Sequence, residues 1–204
     1  MTSFTVSIII LTCLISFVSF NNYKVTDALI FWPPAISIKH QYWRFLTCGL
    51  IHADFMHLAF NMFTFYFFGR ALENYYMGVL GLQHSYFLIL YISAIIVANI
   101  PTYIKRHDDY NYRSLGASGA VVAVQFAFIL IDPWETLWLW GIKMPSILFV
   151  ILFLAYTIYM NKRGGDNVNH DAHLWGAIYG VIFTIAVRPE AASIFLEQIK
   201  HPRF

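Results

Sequence analysis

Six apolar stretches take up most of this chain, at about 4–20, 54–73, 80–104, 116–131, 144–161 and 171–188. Each is bounded by polar or proline-containing breaks, clearest at Asp132-Pro133, Lys143-Met144-Pro145, KRGGDNVNHD (162–171) and Arg188-Pro189. A helix needs about 20 apolar residues to cross the hydrocarbon core, and these runs are of that order. Composition agrees. Of 204 residues, 59% are hydrophobic and 12% charged, where soluble domains have about 45–50% and about 25%. The expectation is an all-α membrane protein, one six-transmembrane-helix domain over residues 1–204, with a tail at 189–204. Pro145 suits the first turn of the fifth helix, where a missing N–H costs nothing. Pro101 is expected to kink or end the third.

A segment of over thirty residues, 21–53, separates the first two stretches, which is long for a compact bundle. It carries FWPP (31–34) and YWRF (42–45). Trp, Tyr and Arg favour the headgroup level, so a membrane-seated loop is expected here. The amino-terminal stretch begins MTSF, without Lys or Arg or a small-x-small cleavage site, and reads as a retained helix rather than a signal peptide. Net charge is +2 with no polybasic run, which argues against a nucleic-acid partner. Cys13 and Cys48 fit small apolar filler better than a metal or disulfide framework. Orientation is not set by charge. With a cytoplasmic amino terminus, Arg70, Lys143, Arg188, Lys200 and Arg203 lie inside. Lys24, Lys39, Arg44, Lys105, Arg106, Arg113, Lys162 and Arg163 lie outside, against the usual positive-inside bias.

Parity constrains the chain without any orientation. With six crossings, the second, fourth and sixth segments enter from one face. All three begin with polar residues: HADFMHLAFN (52–61), GASGA (116–120) and HDAHLWG (170–176). From Ser118 to Asp132 is about 21 Å of helix, and from His173 to Arg188 about 22 Å. Against a core of about 30 Å, both residues lie roughly 10 Å below the near surface if the far ends reach the opposite one. Polar groups at that depth require a protein interior or a wet cavity, so a water-filled pocket is expected there.

Each candidate has a bland reading beside its chemical one. Ser118 fits a helix N-cap or a small packing residue, and Ala120 breaks the G-x-S-x-G pattern of soluble hydrolases. His173 is an ionisable group inside a membrane segment and so a functional candidate. Gly176, Ala177 and Gly180 share its face, and Gly176 with Gly180 has the spacing that lets membrane helices approach closely. Gly119, Ala120, Ala123 and Ala127 are small partners on the fourth segment. His57 and Asn61, at i and i+4, share a face. They suit oxyanion donors or interhelical hydrogen bonds, while His52, His57, His170 and His173 could be metal ligands, although the H-E-x-x-H pattern is absent. Taken together, the set suits a serine nucleophile, a histidine base and charge stabilisers, with no metal or other cofactor. No acid completes a triad: Asp171 lies on a different face from His173, and Asp54 is near the mouth. A silent binder of membrane helices, a zinc protease and a small transporter are the competing classes.

These stretches resemble the rhomboid intramembrane serine proteases. The resemblance rests on YWR (42–44), HADFMHLAFN (52–61), GRALE (69–73), GASGA (116–120) and AHLWGAIYG (172–180), and covers about residues 40 to 188. It implies a six-helix rhomboid bundle, Ser118 as nucleophile, His173 as general base, and His57 and Asn61 as oxyanion-hole side chains. It implies structural roles for Arg70 and Glu73, and transmembrane-helix proteins in the lipid bilayer as substrates. It further implies a bacterial inner membrane with both termini cytoplasmic. One departure is Val122, where many family members carry a tyrosine packed on the catalytic imidazole. Phe149, Phe153 and Tyr156, opposite Phe60, Phe63 and Phe67, are expected to form a side gate. KRGGDN (162–167) is expected to cap the pocket, with Gly164 and Gly165 giving mobility.

Overall fold

The structure, a computed structural model, describes residues 3–139, 141–166 and 168–202. Asn167 of the expected cap and Arg203 of the charge count lie outside the described residues. Helices stand at all six expected positions: α1 (Phe4–Phe20), α5 (Phe55–Gly78), α6 (Ser85–Arg106), α7 (Ser118–Ile131), α8 (Ser146–Arg163) and α9 (His170–Val187). By length and composition, α6 and α8 are able to cross a membrane. The last described helix, α10 (Glu190–Lys200), meets α9 at a bend of 113°, and the pair counts as a third candidate span by length and composition only when taken together. Large side chains such as Leu14, Ile89, Ile151, Leu152 and Ile182 point outward. Water would penalise that surface and lipid does not, which marks an integral membrane protein.

The centre of the molecule is α7. Every residue from Gly119 to Ile131 is buried, because α5, α6, α8, α9 and α10 all pack around it. The tightest seam is with α9. A Cβ on Gly176 would lie 2.1 Å from the Gly119 carbonyl oxygen, and one on Gly180 would lie 2.0 Å from that of Ala123. The small face expected from the spacing is therefore a backbone-to-backbone contact, and no larger residue fits it.

Several elements differ from expectation. Helix α6 runs through Pro101 to Arg106 rather than ending at the proline. The chain is not purely helical: Thr136–Leu139 (β1) and Ile142–Pro145 (β2) pair antiparallel between α7 and α8. Pro145 closes β2 and is the N-cap of α8, not a residue of its first turn. Segment 21–53 folds into three short α-helices, α2 (Tyr23–Leu29), α3 (Pro33–Lys39) and α4 (Arg44–Thr47), followed by a 3-10 turn at Cys48–Leu50. Arg44 is not a headgroup anchor. It is buried, and its guanidinium donates to the carbonyls of Asp27 (2.6 Å) and Ile30 (2.7 Å) and to Gln41 Oε1 (2.7 Å), tying α4 to α2. Tyr42 and Trp43 beside it are exposed.

Glu73 fixes the amino terminus. Its carboxylate accepts from Ser3 Oγ (2.5 Å), Phe4 N (2.7 Å), Thr5 N (3.3 Å) and Thr5 Oγ1 (2.8 Å), and also contacts His84. The first-turn N–H groups of α1 have no carbonyl of their own, so an anion there satisfies them and complements the helix dipole. The tail docks as well. Trp134 Nε1 donates to Gln198 O (2.7 Å), and Gln198 Nε2 donates to Ile131 O (2.6 Å).

Candidate active site

Ser118 is not the cap of its helix. Ala117 holds that position, and Ser118 is the first helical residue. Its hydroxyl is consequently free of capping and lies 2.8 Å from His173 Nε2. The two residues sit at the same end of the glycine seam, one on each helix, just before Gly119 and Gly176, which sets their separation.

The loop before Ser118 is held from three sides. Phe31 and Ser114 exchange backbone hydrogen bonds of 3.0 and 3.1 Å, and Gly116 N–H donates to Cys48 O at 2.9 Å. His52 receives Ala117 N–H on Nε2 at 3.4 Å, while its Nδ1 meets Ser16 Oγ at 3.0 Å. His52 is thus buried structure rather than a residue at the mouth. Its partner is 65 residues away, and no local pattern announces it. Gly116 has φ +114°, and a Cβ there would sit 2.8 Å from the His57 ring. Both conformation and space require glycine at this position.

His57 and Asn61 project from the first two turns of α5 toward the same place. Asp54 caps this helix, accepting from His57 N at 2.8 Å. Ala53 N–H points at His57 Nδ1 at 3.5 Å, which leaves the ring proton on Nε2. Asn61 Nδ2 gives one hydrogen to His57 O at 3.1 Å and keeps a second. A cleft of about 720 Å³ brings these four side chains together, lined further by Val122, Gln125, Phe149 and Phe153. Among the described residues no three His, Cys, Asp or Glu side chains form a group that could ligate a metal ion.

The start of α9 is anchored by Asn169, its N-cap. Asn169 Oδ1 accepts from Ala172 N (3.1 Å) and Thr102 Oγ1 (3.0 Å). Asp171 is turned away to Lys105 Nζ, 2.8 Å from both its oxygens, and to Asn161 Nδ2 at 3.2 Å. Where a tyrosine was expected, Val122 is buried and makes no polar contact to His173. Instead two other rings flank the imidazole, Phe153 and His170, each with its centroid 5.9 Å away. His170 Nε2 lies 3.0 and 3.2 Å from the Asp166 oxygens. That hydrogen bond holds the Asp166 carboxyl below the usual carboxylate range.

The expected gate residues separate. Phe60, Phe149 and Phe153 line the cleft. Phe63 and Phe67, with Phe60 and Phe149 again, line an adjoining apolar cavity of about 320 Å³ beside β1. Tyr156 packs instead on His170, at 6.0 Å. Of the expected cap, Lys162 and Arg163 belong to α8, and Gly164 and Gly165 follow it with positive φ. The described cap residues 162–166 do not line the cleft; Val168 and Asn169, which follow the stretch, do.

Known proteins place this arrangement in context. The family model described as the rhomboid domain matches residues 39–190. YdcA of Bacillus subtilis (strain 168) is 32% identical over 146 residues, 71% of this chain and 66% of that protein. RHOMBOID-like protein 12, mitochondrial, of Arabidopsis thaliana is 30% identical over 155 residues, covering 70% of this chain and 46% of its own. Rhomboid protease GluP of Bacillus subtilis (strain 168) is 26% identical over 156 residues, covering 76% and 28%. The chain thus spans less than two thirds of the length of these curated relatives.

Proposed function

This chain belongs to the rhomboid family, and from that premise we propose that it is an intramembrane serine endopeptidase working by a Ser118–His173 dyad. The observation that carries the proposal is the 2.8 Å contact between Ser118 Oγ and His173 Nε2 in a cleft that His57 and Asn61 also line. In this reading α1 and α5 to α9 cross the bilayer as one six-helix domain, and segment 21–53 rests on it. Helix α7 has 14 residues, about 21 Å, so Ser118 starts below the surface of a core about 30 Å thick. The cleft brings water to that depth.

His173 Nε2 accepts the Ser118 proton as Oγ attacks the scissile carbonyl. The carbonyl oxygen becomes an anion. It is received by the first-turn N–H of Ser118, by His57 Nε2–H and by the remaining Asn61 N–H, donors fixed before the charge develops. His173 then passes its proton to the leaving amine, and the carbon–nitrogen bond breaks to give an acyl-enzyme. Water, deprotonated by the same imidazole, hydrolyses the ester and returns Ser118. The substrate is the transmembrane or juxtamembrane segment of another membrane protein. A helical amide is shielded by its own hydrogen bonds, so the segment must unwind before its carbonyl can enter. Phe149, between the cleft and the adjoining cavity, stands where such a segment would pass.

The test reconstitutes the protein in liposomes with a single-span protein whose helix ends in glycine and alanine. A cut within or at the edge of the span, absent in Ser118→Ala, is expected. Binding of the span without a cut in the wild type would instead make the chain a silent helix binder.

A further inference from the structure

His173 is oriented without a side-chain acid. Among the described residues no hydrogen bond reaches its Nδ1, and its one side-chain hydrogen bond is to Ser118. The ring is therefore aimed by packing. Phe153 lies on one side at an interplanar angle of 37°, and His170 meets it edge-on at 86°. Phe153 has no polar handle. His170 has one: it is 4% exposed and its Nε2 is shared by both oxygens of Asp166.

We propose that Asp166 and His170 form a positioning pair that sets the His173 imidazole, doing by packing what a triad acid does by hydrogen bonding. The inference rests on the dyad reading above. Because Nε2 faces a carboxylate, it carries the proton and donates to Asp166. His170 Nδ1 is buried and has no partner among the described residues, so rotation of the ring would move an unpaired nitrogen without gaining a bond. The ring has one anchored orientation, and that orientation presents its edge to His173. Among the described residues, the ring of Tyr156 from α8 also packs on His170, at 6.0 Å, and Asp171, next to it on α9, is bound to Lys105 of α6. Neither competes for Nε2.

The anchor sits outside the helix. Asp166 follows Gly164 and Gly165, whose φ values are +62° and +96°. The conformation of this short segment therefore decides whether the carboxylate reaches His170, and through it whether His173 points at Ser118. The segment beside the cleft thereby reports to the base.

Asp166 is exposed and its replacement leaves the core intact, so the test uses Asp166→Ala and Asp166→Asn. Fluorophosphonate labelling of Ser118 in detergent is measured against probe concentration. Misaiming a base by a fraction of an ångström lowers the rate of the chemical step, so Asp166→Ala should lower kinact about tenfold with KI within about twofold. Asp166→Asn still offers an oxygen to His170 Nε2–H and should recover most of kinact. Unchanged kinact in Asp166→Ala, a change confined to KI, or equal loss in both variants overturns the proposal. A second readout needs no activity and separates this inference from the protease reading. In NMR spectra of protein with 13C-labelled histidine, the His173 Cε1–H signal should move in Asp166→Ala and return in Asp166→Asn. A signal that stays in place in Asp166→Ala overturns the positioning role even if the wild type labels normally.

Discussion

The two flanks of α7 are built on different principles. Toward α9 the contact is glycine against backbone, with room for no added carbon at Gly176 or Gly180. Toward α5 and α8 the contact is made by large aromatic rings, Phe68 on Phe128 at 5.6 Å and Phe68 on Phe149 at 6.3 Å, with cavities between them. The seam holds Ser118 and His173 at bonding distance, which needs rigidity. The aromatic flank borders the route by which a substrate segment would arrive, which needs side chains that can swing. In the proposed function, fixed backbone would carry the chemistry and adjustable side chains the access.

The largest expected effect comes from breaking the seam. Gly180→Val puts carbon where the Ala123 carbonyl oxygen stands, so α9 must shift by an ångström or more. Labelling of Ser118 should fall by on the order of a hundredfold, and the thermal unfolding midpoint should drop. A variant with wild-type labelling and midpoint would show that the seam is not needed for the site. A smaller effect, opposite in sign, is expected on the other flank. Phe149→Ala opens the boundary between cleft and cavity and should speed cleavage of a membrane-embedded substrate severalfold, leaving probe labelling nearly unchanged. Equal rates in the two proteins would remove the access role. Phe153 sharpens the contrast, because it belongs to both flanks. It lines the cleft, yet its ring packs on His173. Phe153→Ala is therefore expected to slow labelling, where its position in the sequence suggested only a gain in access.

The seam was the most legible part of the molecule. Gly176 and Gly180 at helical spacing, opposite Gly119 and Ala123, declare a close approach because small residues in a membrane helix have few other uses. Helix α1 was legible to the residue for a related reason: an unbroken apolar run has one stable form in lipid. What stayed hidden depends on distant partners. His52 looked like a mouth residue, but Ala117 and Ser16 make it structural. Arg44 looked like a headgroup anchor until three acceptors from segment 21–53 surrounded it. Hairpin β1–β2 was missed because four-residue strands ending in Pro145 carry no periodicity. The tail at 189–204 was visible as a segment, but the docking of α10 through Trp134 and Gln198 was not. Val122 stands, buried, where the resemblance implied a tyrosine. That His170 and Phe153 flank the imidazole could not be read, since three-residue spacing on α9 does not say which way a ring is tied.

The central claim is that Ser118 is a nucleophile made reactive by His173. The most direct test incubates the purified protein in detergent with a fluorophosphonate probe and locates the adduct by peptide mass spectrometry. The account predicts a covalent adduct on Ser118 alone, lost in His173→Ala, with chelators having no effect. An unlabelled Ser118 in folded wild-type protein, or labelling that persists in His173→Ala, would contradict it.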